Sequence, residues 1–384
     1  MLDETLLDAP DALALADRRG LLRGAAEAGA RVRTAARHAT EAGIAELSPE
    51  GRPRTVLVAG PGTAAAGVAD LVGALAGAAA PVIRLQPTGV APAAGALRWA
   101  LPGWAGSVDL LLIPTTDGSE PGLALLAGQA YRRGISVVAV APKSSPLAEA
   151  VSGPRGLLVP MAMAPHESAE EYEEKLAAGP GSLWALFTPL LALLDRLGLV
   201  EAPSEMLEKV ADRLDRTAER CGPAIATHSN PAKTLAAELA DSLPLIWTEG
   251  DAAGPVGRRF AAVLAELAGL PALAAELPEA LPAHGVLLAG DYAAGADPDD
   301  FFRDRVEEAQ ALRARVVLLR DRPTDAGGLT AAPAARELAL SHGTAISELE
   351  PDEGGELETL AELLAVTDFA AVYLSLASAG IAPH

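Results

Sequence analysis

Short apolar runs alternating with helical patterns constrain this chain more than any other feature. "TVLVAG" (55–60), "PVIRLQ" (81–86), "DLLLIP" (109–114), "ISVVAVAP" (135–142) and "RGLLVPM" (155–161) are apolar on both faces and separated by amphipathic stretches. Strands of that kind belong in a parallel sheet covered by helices, because water must be kept off both sides. From about 167 to 240 the pattern becomes helical, through "SAEEYEEKLAAG", an apolar helix and "SEMLEKVADRLDRTAERCG". Strand patterns resume with "PLIWTE" (244–249), "HGVLLAG" (284–290), "ARVVLLRD" (314–321) and "TAISELE" (344–350). The expected fold class is therefore α/β, with two doubly wound, mainly parallel sheets flanked by helices and joined by a helical segment.

Composition narrows the function classes. Carboxylates outnumber Lys plus Arg by 51 to 30, a formal charge of −21, which argues against nucleic acid or an anionic membrane as a partner. Cys221 is the only cysteine, so the chain has no internal disulfide and no cysteine-based metal cluster, and a reducing cytoplasm fits best. The start, "MLDETLLDAPDALALADRRG", is acidic and amphipathic and reads as a surface helix, not a signal peptide. Residues 176–194 are uncharged for about the length of a bilayer span. The Gly-Pro-Gly-Ser at the front of that run shortens its continuous helix, so it reads as a buried core helix.

"TTDGSEPG" (115–122) follows an apolar strand and precedes "LALLAGQAYRRG". A strand, a Gly-bearing turn and a helix N-terminus make a place for an anion, since N–H groups and the helix dipole favour negative charge there. Asp117 and Glu120 put two carboxylates at that place.

Four stretches together resemble the bifunctional phosphoglucose/phosphomannose isomerases, which carry two sugar-isomerase (SIS) domains in tandem. They are "VLVAGPGTAAAGVADLV", "DLLLIPTTDGSEPGLALLAGQAYRRGISVVAVAP", "NPAKTLAAELADSLPLIW" and "AELAGLPALAAELPE", and "DFAAVYLSLASAGIAP" is similar to the closing helix. The likeness divides the chain into an N-terminal helical segment (1–50), a first SIS domain (51–165), a helical linker (166–241) and a second SIS domain (242–384). It also implies a homodimer and no cofactor.

The resemblance maps the family's phosphate loop onto Thr115, Asp117, Gly118, Ser119 and Glu120, and its first Gly-rich turn onto Gly62 and Thr63. In the family, hydroxyl side chains stand where this chain has Asp117 and Glu120. An ionised carboxylate accepts hydrogen bonds but cannot donate one to phosphate. Glu266 falls on the family's general base, and His284 lies two residues beyond the expected place of its ring-opening histidine. The family's Pro-Arg becomes Pro180 and Gly181, and no lysine follows Lys233, although family members carry one near the C-terminus. The resemblance thus implies a SIS sugar or sugar-phosphate binding protein that has lost its isomerase chemistry. The alternative it leaves open is an active aldose–ketose isomerase rebuilt around Glu266 and His284, with Arg258 and Arg259 close to the base segment. The six histidines show no paired ligand spacing, so no metal site is expected, and neither a nucleophile elbow nor a Walker loop is present.

Overall fold

A computed structural model describes residues 2–47, 51–89, 97–161, 179–290, 312–321 and 330–378. The chain forms two compact units, one of residues 19–216 and one in which residues 1–18 join residues 217–384. The short helices α1 (Glu4–Leu7) and α2 (Pro10–Ala16) thus belong with the C-terminal half.

The unit of residues 19–216 begins with α3 (Leu21–Ala26) and α4 (Ala28–Glu41). Strand and helix then alternate as β1 (Val56–Val58), α5 (Gly62–Ala76), β2 (Val82–Arg84), β3 (Leu110–Pro114), α6 (Pro121–Arg132), β4 (Ser136–Ala141), α7 (Pro146–Ala150) and β5 (Gly156–Pro160). The sheet is parallel with order β2-β1-β3-β4-β5, and Val56 pairs with Val82 on one side and Leu110 on the other. All five residues of β3 are buried, as a run of apolar side chains on both faces requires. Helix α8 (Ser182–Arg196) packs against α4 and α5 and buries nearly every side chain, so the uncharged stretch is a core helix. Residues 176–178 of that stretch, and all of "SAEEYEEKLAAG" but its last glycine, lie outside the described residues.

Helix α9 (Ser204–Arg220) carries Glu208, Asp212 and Asp215 on one face, at helical spacing. Arg33 of α4 meets all three, at 3.3, 2.6 and 2.7 Å. The group is open to water, so it fixes the helix pairing more than it stabilises it.

In the second unit α10 (Pro231–Leu239), β6 (Ser242–Glu249), α11 (Ala253–Ala268), β7 (Leu273–Glu276), α12 (Ala280–Ala289), β8 (Arg313–Arg320), α13 (Ala332–Ser341), β9 (Ile346–Leu349) and α14 (Glu356–Ser378) follow. Its sheet is also parallel, in the order β7-β6-β8-β9. Asn230 caps α10 by accepting from the N–H groups of Ala232 and Lys233. Among the described residues α14 is the one helix long and apolar enough to cross a membrane, and 94% of that apolar window is buried. It packs against α10 and α11 as the central helix of its unit.

One strand expectation is corrected. "HGVLLAG" folds as the second half of α12, and a strand not read from the sequence, β7, precedes that helix. A short apolar run has no period that separates a buried strand from a buried helix turn.

Candidate functional site

In the first sheet the chain crosses from β1 to β2 on one side and reaches β3, β4 and β5 on the other. The loops at the carboxyl ends of β1 and β3 therefore flank the crevice where such sheets hold ligands. The two loops touch closely. A Cβ on Gly60 would lie 2.3 Å from the Pro114 carbonyl oxygen, so only glycine lets the turn into α5 pass beside the end of β3. Gly62 and Thr63 open α5, which has no side-chain cap.

The 115–120 loop directs its donors inward. Thr115 Oγ1 donates to Asp117 Oδ1 (3.3 Å), the Ser119 N–H to the same oxygen (3.0 Å), and Ser119 Oγ to Oδ2 (3.0 Å). The Gly118 N–H donates to Thr115 Oγ1 at 3.1 Å. Gly118 has φ +65°, and a Cβ there would meet Ser145 Oγ at 2.5 Å, so the tight turn depends on glycine twice over. Both hydroxyls and an amide that could have faced an external anion are thus held by the loop's own carboxylate.

Glu120 occupies the N-cap of α6 with extended dihedrals, φ −63° and ψ 112°, but its side chain makes no capping bond. Its Oε1 is buried without a hydrogen-bond partner. The helix dipole favours a carboxylate at this position. Desolvation of an unpaired oxygen works against it.

Glu266 and His284 lie on different helices of the other unit. Glu266 is exposed near the end of α11. His284 is 8% exposed in α12, and its Nδ1 accepts from Trp247 Nε1–H at 2.9 Å. That bond places the ring proton on Nε2, and protonating Nδ1 would break it. Burial also lowers the His284 pKa below its ordinary value of 6.5. The unfolded chain therefore takes up the proton more readily than the folded one, so stability should fall as pH drops below about 6.5. Urea melts between about pH 8 and pH 5 should show the falling midpoint, with a shallower slope in His284→Leu. Equal slopes in the two proteins would exclude His284 as the source.

The arginines beside the base segment are engaged. Arg258 pairs with Glu276, and Arg259 forms a buried ion pair with Asp368 of α14. Burial raises the Asp368 pKa, with Arg259 acting in the opposite direction. Lys233 is fully buried, donates to the carbonyls of Pro223 and Ile225 at 2.8 Å each, and faces the Tyr373 ring at 5.4 Å.

A polar cluster at the carboxyl ends of β6, β8 and β9 went unread in the sequence. Arg320 meets Glu249 (2.9 Å) and Glu350 (2.6 Å), and Glu249 also accepts from Thr330 and the Ala331 N–H. Burial raises the Glu249 pKa, but the bonds from Thr330, Ala331 and Arg320 outweigh it and hold the carboxyl below its ordinary value. Asp321 accepts from the Ala252 N–H at the start of α11, at 3.0 Å. In this unit too, internal carboxylates occupy helix N-termini. The signal was present in "WTE" and "LLRD", where charge follows apolar runs at strand ends. Among the described residues no three His, Cys, Asp or Glu side chains converge on a metal-sized site.

Residues 228–384 match the model of the bacterial phosphoglucose isomerase C-terminal SIS domain. A search of curated protein sequences gives no match. Among solved structures, the phosphosugar isomerase candidate of Silicibacter pomeroyi DSS-3 is similar, with TM-score 0.56, 17% identity, and 94% of this chain and 98% of that one covered. The tagatose-6-phosphate ketose/aldose isomerase of Escherichia coli gives TM-score 0.53 and 13% identity over 93% of this chain and 90% of that one. The C-terminal domain of glucosamine-fructose-6-phosphate aminotransferase from Francisella tularensis gives 0.53 and 12%, over 94% and 96%. At these identities the likeness establishes a shared fold.

Proposed function

We propose, on the match of residues 228–384 to the bacterial phosphoglucose isomerase C-terminal SIS-domain model, that the protein is a SIS-type sugar-binding module that does not isomerise sugar phosphates and acts by binding or regulation. The observation that carries this reading is the hydrogen bonding of Asp117, which takes the Thr115 and Ser119 hydroxyls and the Ser119 amide. A phosphate entering the crevice would meet acceptors where it needs donors. Repulsion between unit charges about 4 Å apart is roughly 1 kcal/mol in water and about 4 kcal/mol at an intermediate dielectric.

Calorimetry tests the proposal. Wild-type protein is expected to give no heat of binding with glucose 6-phosphate. The double variant Asp117→Ser, Glu120→Thr restores hydroxyls, removes two charges, and should gain at least about tenfold in affinity, the equivalent of about 1.4 kcal/mol. Tight binding by the wild type would overturn the reading.

A further inference from the structure

The segments 52–54, 101–108, 131–136 and 152–156 lead into β1, β3, β4 and β5, and they carry Arg52, Arg54, Arg132, Arg133 and Arg155 but no acidic residue. They stand out in a chain of formal charge −21. Contacts join them into one surface at the amino ends of the strands. Arg54 pairs with the buried Asp109 at 2.7 Å, donates to the Trp104 carbonyl at 3.1 Å and lies over the Trp104 ring at 5.5 Å. Arg133 donates to the Pro102 carbonyl at 2.6 Å, and a Cβ on Gly134 would stand 3.4 Å from that of Ser107. Arg155 donates to the Gly134 carbonyl at 2.8 Å, and a Cβ on Gly153 would stand 3.3 Å from the Tyr131 ring.

The dipole of α6 accounts for arginines at its carboxyl end. It does not account for Trp104, Val108 and Tyr131, which lie on the same segments 49, 57 and 54% exposed. Tryptophan, tyrosine and arginine are the side chains that anchor protein interfaces. Arg133 and Arg155 each give one nitrogen to a backbone carbonyl, and among the described residues neither meets a carboxylate. Each guanidinium is thus held in place with donors left over for one.

The charge selects the partner. Two copies meeting through this same surface about a two-fold axis would set arginine against arginine. A nucleic acid needs many phosphates neutralised, to which five arginines on a chain of net charge −21 are poorly suited, and Val108 has no ring on which a base could stack. An acidic segment with apolar side chains matches both halves of the surface. We propose that this surface docks an acidic segment of another protein, with carboxylates on Arg133 and Arg155 and apolar side chains over Trp104, Val108 and Tyr131. It lies at the ends of the strands opposite the β1/β3 crevice, so the docking does not depend on what the crevice holds.

Trp104 supplies the readout, because the other three tryptophans, Trp99, Trp184 and Trp247, are buried. Acrylamide quenching of the fluorescence therefore reports on Trp104, and Trp104→Phe identifies its share. A synthetic peptide of glutamates interrupted by leucines should protect Trp104 from acrylamide, in a titration that saturates and that weakens as salt is added. Combining Arg133→Ala with Arg155→Ala should weaken that binding at least about tenfold. The same peptide with lysine in place of glutamate should give no protection. The proposal is overturned if the acidic peptide leaves Trp104 as open as before, if the lysine peptide protects it equally, or if a folded double variant binds undiminished. Protection by single-stranded oligothymidylate at lower concentration than the acidic peptide would assign the surface to nucleic acid instead. Protection that grows with protein concentration alone, with self-association in sedimentation, would assign it to a second copy; either outcome overturns the proposal. The wild-type titrations decide the matter even if the double variant does not fold.

Discussion

Purified protein is expected to interconvert glucose 6-phosphate, mannose 6-phosphate and fructose 6-phosphate no faster than the uncatalysed background in a coupled assay. Aldose–ketose isomerisation needs a base for the C2 proton, a donor or cation for the carbonyl oxygen, and help in opening the ring. Glu266 could act as a base, but it stands exposed on α11. His284 is buried and holds on one nitrogen the N–H of Trp247, a member of the unit's apolar core. The nearby cations are committed, Arg258 to Glu276, Arg259 to Asp368, and Lys233 to two backbone carbonyls. Removing one oxyanion donor typically costs about 10²- to 10³-fold in rate, and the missing groups act together without adding simply. Turnover of about 1 s⁻¹ that vanishes in Glu266→Gln would reverse this conclusion. Turnover that survives the substitution would point to a contaminating isomerase.

Asp368→Ala should destabilise the unit it belongs to by about 3–5 kcal/mol, because it strands the buried Arg259 guanidinium. Arg259 cannot shed its proton, and its Nε is already a buried donor without a partner. The reciprocal change, Arg259→Met, should cost distinctly less. Burial already raises the Asp368 pKa, so a lone carboxyl can take up a proton and become neutral. Urea unfolding followed by circular dichroism would read both variants. Equal losses would show that the pair's worth lies in packing and not in charge.

Much of the fold was legible because parallel strands buried on both faces declare themselves locally. "DLLLIP" and "ISVVAVAP" need no partner to be recognised. Strand β7 was not legible: Leu273, Ala274, Ala275 and Glu276 are partly exposed at the sheet edge, and pairing with Leu245–Thr248 makes them a strand. The 115–120 loop could be placed from sequence since its Gly118 turn is local. The direction of its hydrogen bonds could not, because a serine beside an aspartate reads equally well as a phosphate donor or as the aspartate's own partner.

The joining of residues 1–18 to residues 217–384 sets an order on biosynthesis. Leu7 and Leu13 are fully buried, Asp8 accepts from the Thr227 N–H and hydroxyl, and the Asp3 N–H donates to the Ala377 carbonyl. Residues 1–18 therefore leave the ribosome well before residues 217–384, with which they pair, while residues 19–216 form a contiguous stretch that can fold in between. Ribosome-stalled chains long enough for Arg216 to clear the exit tunnel should resist protease across residues 19–216 and still be cut within α1 and α2; protection of those helices at that stage would show that they dock elsewhere first. A waiting amphipathic segment is a natural target for chaperones, and this protein's yield in a cell is expected to depend on how well residues 1–18 are sheltered during translation.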